Sequence, residues 1–226
     1  TGIEIGLSAG HTTKHLFENI KGLKLYGVDP YPEYTDWNGD ELNEYRQFST
    51  YDEFLDNTKE FWENITHYRL FSDDAAQKIE DASCDFVFID GLHTYDQVLR
   101  DCQNFYSKIK DGGLFSGHDY MAIPAVNMAV NEFAKSVGAT IRQTDNDVWY
   151  WFKPKNIPII TCTVSNKTTP VLAASVNTYC PGVELVINRG ERSTFGEAFN
   201  KAMASAFEKY DEIIIANDDI VLNPTS

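Results

Sequence analysis

The stretch Gly2-Ile3-Glu4-Ile5-Gly6-Leu7-Ser8-Ala9-Gly10 decides the fold. A short β-prone run passes directly into a glycine turn, and a helical pattern follows near 11–20. The same alternation continues downstream. Strands are expected near 24–29, 67–71, 85–90, 112–117, 139–144 and 147–153, after a first strand at 2–6. Helices are expected near 50–64, 74–80, 95–109 and 123–137. Strands alternating with helices give an α/β fold with a mainly parallel sheet covered by helices. Asp145-Asn146, a turn dipeptide, separates the last two strands and makes them an antiparallel hairpin.

Lys153-Pro154-Lys155-Asn156-Ile157-Pro158 interrupts the pattern with two prolines. It reads as a linker, so the chain is expected to divide into a domain at 1–153, a linker at 154–157 and a second α/β unit at 158–226. The second series has strands near 159–164, 183–188 and 212–216, with helices near 168–178 and 195–209. The first strand begins so close to Thr1, and the last so close to Ser226, that residues are expected beyond both ends of a longer polypeptide. Nothing before the first motif has the form of a secretory signal.

Asp and Glu number 34 against 19 Lys and Arg, a net charge of −15. That surface repels phosphate backbones, which argues against nucleic acid as a partner. No apolar run approaches the roughly 18 residues a membrane span needs. Cys84, Cys102, Cys162 and Cys180 have no CxxC spacing, and the first two suit a reduced, cytoplasmic protein with structural thiols. Oligomeric state is left open, a homo-oligomer included.

The glycine turn lets a ligand approach the backbone at a helix N-terminus. Alone it is equally a packing device. Asp29, at the tip of the next strand, adds a carboxylate able to accept hydrogen bonds from both hydroxyls of a ribose, which points to an adenosine-type ligand. The turn has the form Glu-x-Gly-x-x-x-Gly rather than the Gly-x-Gly-x-x-Gly of nicotinamide dinucleotide sites. With Gly27-Val28-Asp29-Pro30-Tyr31, Ser72-Asp73-Asp74-Ala75, Asp85 to Asp90 and Gly112-Gly113 in this order, residues 1–153 resemble class I S-adenosylmethionine-dependent methyltransferases. The resemblance implies a Rossmann-like sheet ending in an antiparallel hairpin. It also implies cofactor-binding roles for Glu4, Gly6, Ser8, Gly10, Asp29, Ser72, Asp73 and Asp90, with Asp29 on the ribose and Ser72 and Asp73 near the adenine.

Two further turns carry acids and imidazoles. Phe86-Val87-Phe88-Ile89 reads as a central buried strand that delivers Asp90, with His93 three residues on. Leu114-Phe115-Ser116-Gly117 similarly delivers His118 and Asp119. Neighbouring parallel strands would bring these groups to one sheet edge, where open α/β sheets bind ligands. Asp90 and Asp119 suit a hard divalent cation such as magnesium or manganese, and His118 is either a third ligand or a turn residue. The alternative for the first turn is Asp90 as a helix N-cap with His93 on the surface.

Asp-Gly-x-His-x-Tyr with Gly-His-Asp-Tyr resembles metal-dependent sugar and small-molecule O-methyltransferases. That implies metal ligation by Asp90, His118 and Asp119 and a role for His93 as base. His118 stands where that family usually carries an acid. Residues 158–226 resemble the nucleotide-binding half of a family 2-like GT-A glycosyltransferase, with Ile159-Ile160-Thr161-Cys162-Thr163-Val164 as first strand. There the resemblance implies that Asp218 and Asp219 bind a sugar nucleotide through a metal. The expectation is an O-methyltransferase acting on a sugar, glycan or other small molecule. The alternatives are a glycosyltransferase segment joined to a non-catalytic domain, and a ligand-binding module.

Overall fold

The computed structural model describes residues 1–31, 51–155, 157–163, 169–180, 183–189, 195–210 and 212–217. The chain divides into two compact units, Thr1–Pro154 and Lys155–Ser226, and the division falls inside the expected linker.

In the first unit the strands are β1 (Gly2–Ile5), β2 (Leu25–Val28), β3 (Ile65–Tyr68), β4 (Cys84–Ile89), β5 (Ile109–Gly117), β6 (Arg142–Gln143) and β7 (Trp149–Phe152). The helices are α1 (His11–Asn19), α2 (Tyr51–Thr58), α3 (Ser72–Ala76), α4 (Tyr95–Tyr106) and α5 (Pro124–Ser136). The sheet order is β3-β2-β1-β4-β5-β7-β6. Strands β3 to β5 in that order are parallel, and β7 runs antiparallel to both β5 and β6. The mixed α/β fold is therefore Rossmann-like, with an antiparallel hairpin at one edge.

Several expected bounds shift, two of them for a clear local reason. The helix at 50–64 is α-helical only to Thr58, whose hydroxyl donates back to the Phe54 carbonyl at 2.7 Å, and a 3-10 turn covers Lys59–Asn64. Such back-bonding competes with continuation of the helix. The strand expected at 67–71 is Ile65–Tyr68, because β-branched Ile65 and Thr66 take the pairing with β2 and leave 69–71 as the loop into α3. The helix at 74–80 starts earlier, at Ser72. The strand at 139–144 shrinks to the exposed pair Arg142–Gln143.

Val98, Asp101, Cys102 and Phe105 form the buried stripe of α4, at i, i+3, i+4 and i+7. Val98, Cys102 and Phe105 join Val126, Ala129, Val130 and Phe133 of α5 in the main core. Phe115 lies 4.9 Å from Trp151 and 5.5 Å from Trp149 between ring centroids, which anchors β5 to β7. Each such fully buried aromatic contributes about 2–3 kcal/mol.

The second unit has a parallel three-stranded sheet in the order β10-β8-β9, where β8 is Ile159–Thr163, β9 Leu185–Arg189 and β10 Ile214–Ile215. Helices α6 (Thr169–Tyr179) and α7 (Phe195–Phe207) connect them. Asp218 and Asp219 lie outside the described residues.

Candidate functional site

The parallel strands end in register, since Ile5 pairs with both Val28 and Ile89, and Ile89 with Gly117. Backbone bonds extend the ladder one step further: Gly6 N–H to Val28 O, Asp90 N–H to Ile5 O and His118 N–H to Ile89 O, at 2.8–3.0 Å. Asp29, Gly6, Asp90 and His118 consequently stand in one row at the carboxyl edge. Two glycines permit this closeness. A Cβ on Gly6 (φ 84°) would overlap the Asp90 carbonyl oxygen, and one on Gly117 would overlap that of Ile89.

The β1–α1 turn is held by Asp29, which is 2 % exposed. Its Oδ2 accepts from the amides of Leu7 at 3.0 Å and Ser8 at 3.2 Å, and its Oδ1 from that of Tyr31 at 3.0 Å. Burial raises its pKa, and the three amides oppose that shift. The carboxylate expected on a ribose thus also shapes the glycine turn, in which Gly6, Ser8 and Gly10 all have positive φ.

Glu4 is 1 % exposed. Thr13 donates to its Oε2 at 2.7 Å, while its Oε1 is buried with no hydrogen-bond partner. Loss of hydration, with smaller contributions from Asp90 and Asp29, pushes its pKa from 4.5 up to about 8. A buried acceptor atom without a donor fits a ligand that brings a cationic N–H group.

Ser72 and Asp73 open α3. Ser72 donates to Asp101 Oδ1 at 2.6 Å, and Gln97 Nε2 donates to both at 2.9 Å. Asp73 accepts from Asn104 at 2.7 Å, with Arg100 3.4 Å away. Asp101 was missed from sequence. It is 1 % exposed, and burial chiefly pushes its pKa from 3.8 to about 6. Its signal was present: an acid standing on the apolar stripe of a helix.

Asp90, His93 and Asp119 converge, with one ligand atom from each within 4.8 Å of the others. His93 Nε2 lies 3.0 Å from Asp119 Oδ2 and 3.4 Å from Asp90 Oδ1. The side chains of His93 and Asp90 are about one-third exposed and that of Asp119 one-fifth, so solvent or substrate reaches them. Two carboxylates and an imidazole suit magnesium, manganese, iron or zinc, so the donor set fits a divalent cation. Asp90 is not a helix cap, because Thr94 takes that position before Tyr95. His118 stands beside the cluster, with Nδ1 3.1 Å from Asp119 Oδ1 and Nε2 3.0 Å from the Asn146 carbonyl oxygen.

A family profile described as a methyltransferase domain matches residues 3–120, from β1 through the second acidic turn. The chain belongs to this methyltransferase family. Uncharacterized protein R132 of Acanthamoeba polyphaga mimivirus is 30 % identical over 149 residues, 62 % of this chain and 61 % of that protein. The chain therefore spans about three-fifths of that curated relative's length. The O-methyltransferase NovP structure aligns with a TM-score of 0.55 at 16 % identity, covering 68 % of this chain and 71 % of NovP. That likeness carries the methyltransferase fold. Among the described residues, no helix is long and apolar enough to cross a membrane.

Proposed function

We propose that the methyltransferase unit transfers a methyl group from S-adenosylmethionine to a hydroxyl of a sugar, glycan or other small molecule, assisted by a divalent cation. The convergence of Asp90, His93 and Asp119 beside the glycine turn carries this reading. Glu4, the 6–10 turn and Asp29 would hold the methionine and ribose portions, with Ser72 and Asp73 near the adenine. S-adenosylmethionine supplies an electrophilic methyl carbon on a positively charged sulfur.

The chain's own groups do the rest. Asp90 and Asp119 would hold the cation, whose chemistry there is to lower the pKa of a hydroxyl. His93 Nε2 takes the hydroxyl proton, and the strand tips orient acceptor and donor in line. The preference for a carbohydrate acceptor rests on the glycosyltransferase resemblance of the second unit, supported by the parallel order of β10, β8 and β9. Fold analogy alone supports that part.

A second reading is favoured by the 3.0 Å and 3.4 Å approaches of His93 to both carboxylates: His93 is itself a ligand. Manganese titration of His93→Ala separates the two. As a base, His93 can be lost with manganese affinity held within about threefold while methyl transfer to sugar acceptors disappears. A fall in manganese affinity of about tenfold or more instead makes it a ligand, and retained methyl transfer rules out the base.

A further inference from the structure

Asp119 has φ 60°, a left-handed conformation disfavoured for a residue with a Cβ. Such strain persists only where the surroundings over-determine it. Helix α5 holds one side of the Asp119 loop: Asn127 Nδ2 donates to the Tyr120 carbonyl at 3.2 Å, and Asn131 Nδ2 to the Tyr120 hydroxyl at 2.9 Å. The β6–β7 hairpin holds the other. Asp147 Oδ1 accepts the Met121 amide at 2.5 Å, and its Oδ2 accepts the Ala122 amide at 3.0 Å. His118 Nε2 donates to the Asn146 carbonyl at 3.0 Å, and Trp149 Nε1 to the His118 carbonyl at 3.2 Å.

The hairpin turn and the Asp119 loop are thus tied by four bonds across 25 to 31 residues of sequence. Among the four, Asp147 contributes two, one from each carboxylate oxygen to successive amides just past Asp119. Amides donating to a carboxylate form charge-assisted hydrogen bonds, which are stronger than neutral ones. Both act on the chain immediately after Asp119. Asp147 has φ 61° itself, which turns the hairpin tip.

We propose that Asp147 is a positioning residue: from the terminal hairpin it fixes the Asp119 loop in its left-handed turn and so keeps the Asp119 carboxylate beside Asp90 and His93. The inference rests on the cation-assisted reading for its consequence, but its geometry stands apart from it. Removal of Asp147 leaves Glu4, Asp29 and the glycine turn untouched. Cation binding should suffer while adenosyl binding does not.

The test compares the full chain with Asp147→Ala and Asp147→Asn by manganese titration, S-adenosylmethionine titration and amide-resolved NMR. Asp147→Ala should weaken manganese binding about 10- to 100-fold, as loss of a group supporting a ligand does. Its S-adenosylmethionine affinity should stay within about twofold. Asp147→Asn, which keeps one acceptor oxygen, should fall between, and it carries the comparison if the alanine variant does not fold. Wild-type manganese affinity in a folded Asp147→Ala overturns the proposal. If the wild-type chain binds no manganese, the cation reading fails separately, and NMR then decides Asp147. Lost exchange protection at Met121 and Ala122 with displaced Asp119 resonances supports it, and unchanged Asp119 resonances overturn it.

Discussion

Replacing Glu4 by Gln should remove a pH dependence of stability whose size follows from burial. Glu4 is enclosed at the end of the central strand, and its folded pKa of about 8 exceeds the unfolded 4.5. A group with a raised folded pKa contributes stability that is fully present below pH 4.5 and is lost as pH rises through about 8. Between pH 6 and pH 9 the unfolded chain carries this carboxyl ionised throughout, while the folded chain changes from protonated to ionised. The contribution lost across that window is about two pH units' worth, on the order of 3 kcal/mol.

Gln keeps an oxygen to accept from Thr13 and has no charge to desolvate, so Glu4→Gln should lose none of this. No tryptophan occurs at 155–226, and Trp62, Trp149 and Trp151 are placed in the first unit, so tryptophan fluorescence during denaturant unfolding reports that unit. The difference between wild type and variant should grow by about 2–3 kcal/mol from pH 6 to pH 9, in favour of the variant. Parallel pH dependences for the two proteins would refute the reasoning. The variant should also bind S-adenosylmethionine more weakly, because its cationic amino group loses an ionisable partner.

Asp101→Asn should flatten a second, more acidic slope. Its folded pKa is raised from 3.8 to about 6, so its contribution is present below pH 3.8 and lost as pH rises through about 6. Unfolding curves at pH 4 and pH 6.5 check this, and an unchanged slope would refute it. Gly6→Ala combines a left-handed φ with overlap on the Asp90 carbonyl. It should destabilise the first unit by about 2–4 kcal/mol, read from the denaturant midpoint, and a loss under 1 kcal/mol would show that the strand tips can part.

Strand identity was legible wherever apolar β-prone runs end in functional turns, because β1, β2, β4 and β5 are central and buried. The edges were less so. Arg142–Gln143 has little apolar content to mark its limits, and β3 was placed late because Leu70 and Phe71 carry apolar character past Tyr68 and Arg69 into the loop. Within the site, sequence marked Asp90, His93 and Asp119, since each sits in a turn beyond an apolar strand. What brings them together was not legible. Asp147 looks like an ordinary turn acid, and its partners Met121 and Ala122 are backbone amides, which leave no trace in residue type. Asp101 was overlooked because a helical periodicity naturally reads its position as apolar.

Calorimetric titration of the chain with S-adenosylmethionine tests the central claim most directly. The account predicts saturable one-site binding with Kd between about 1 μM and 1 mM, weakened in Glu4→Gln. Absence of binding at millimolar S-adenosylmethionine, with the first unit shown to be folded by its tryptophan fluorescence, would contradict it.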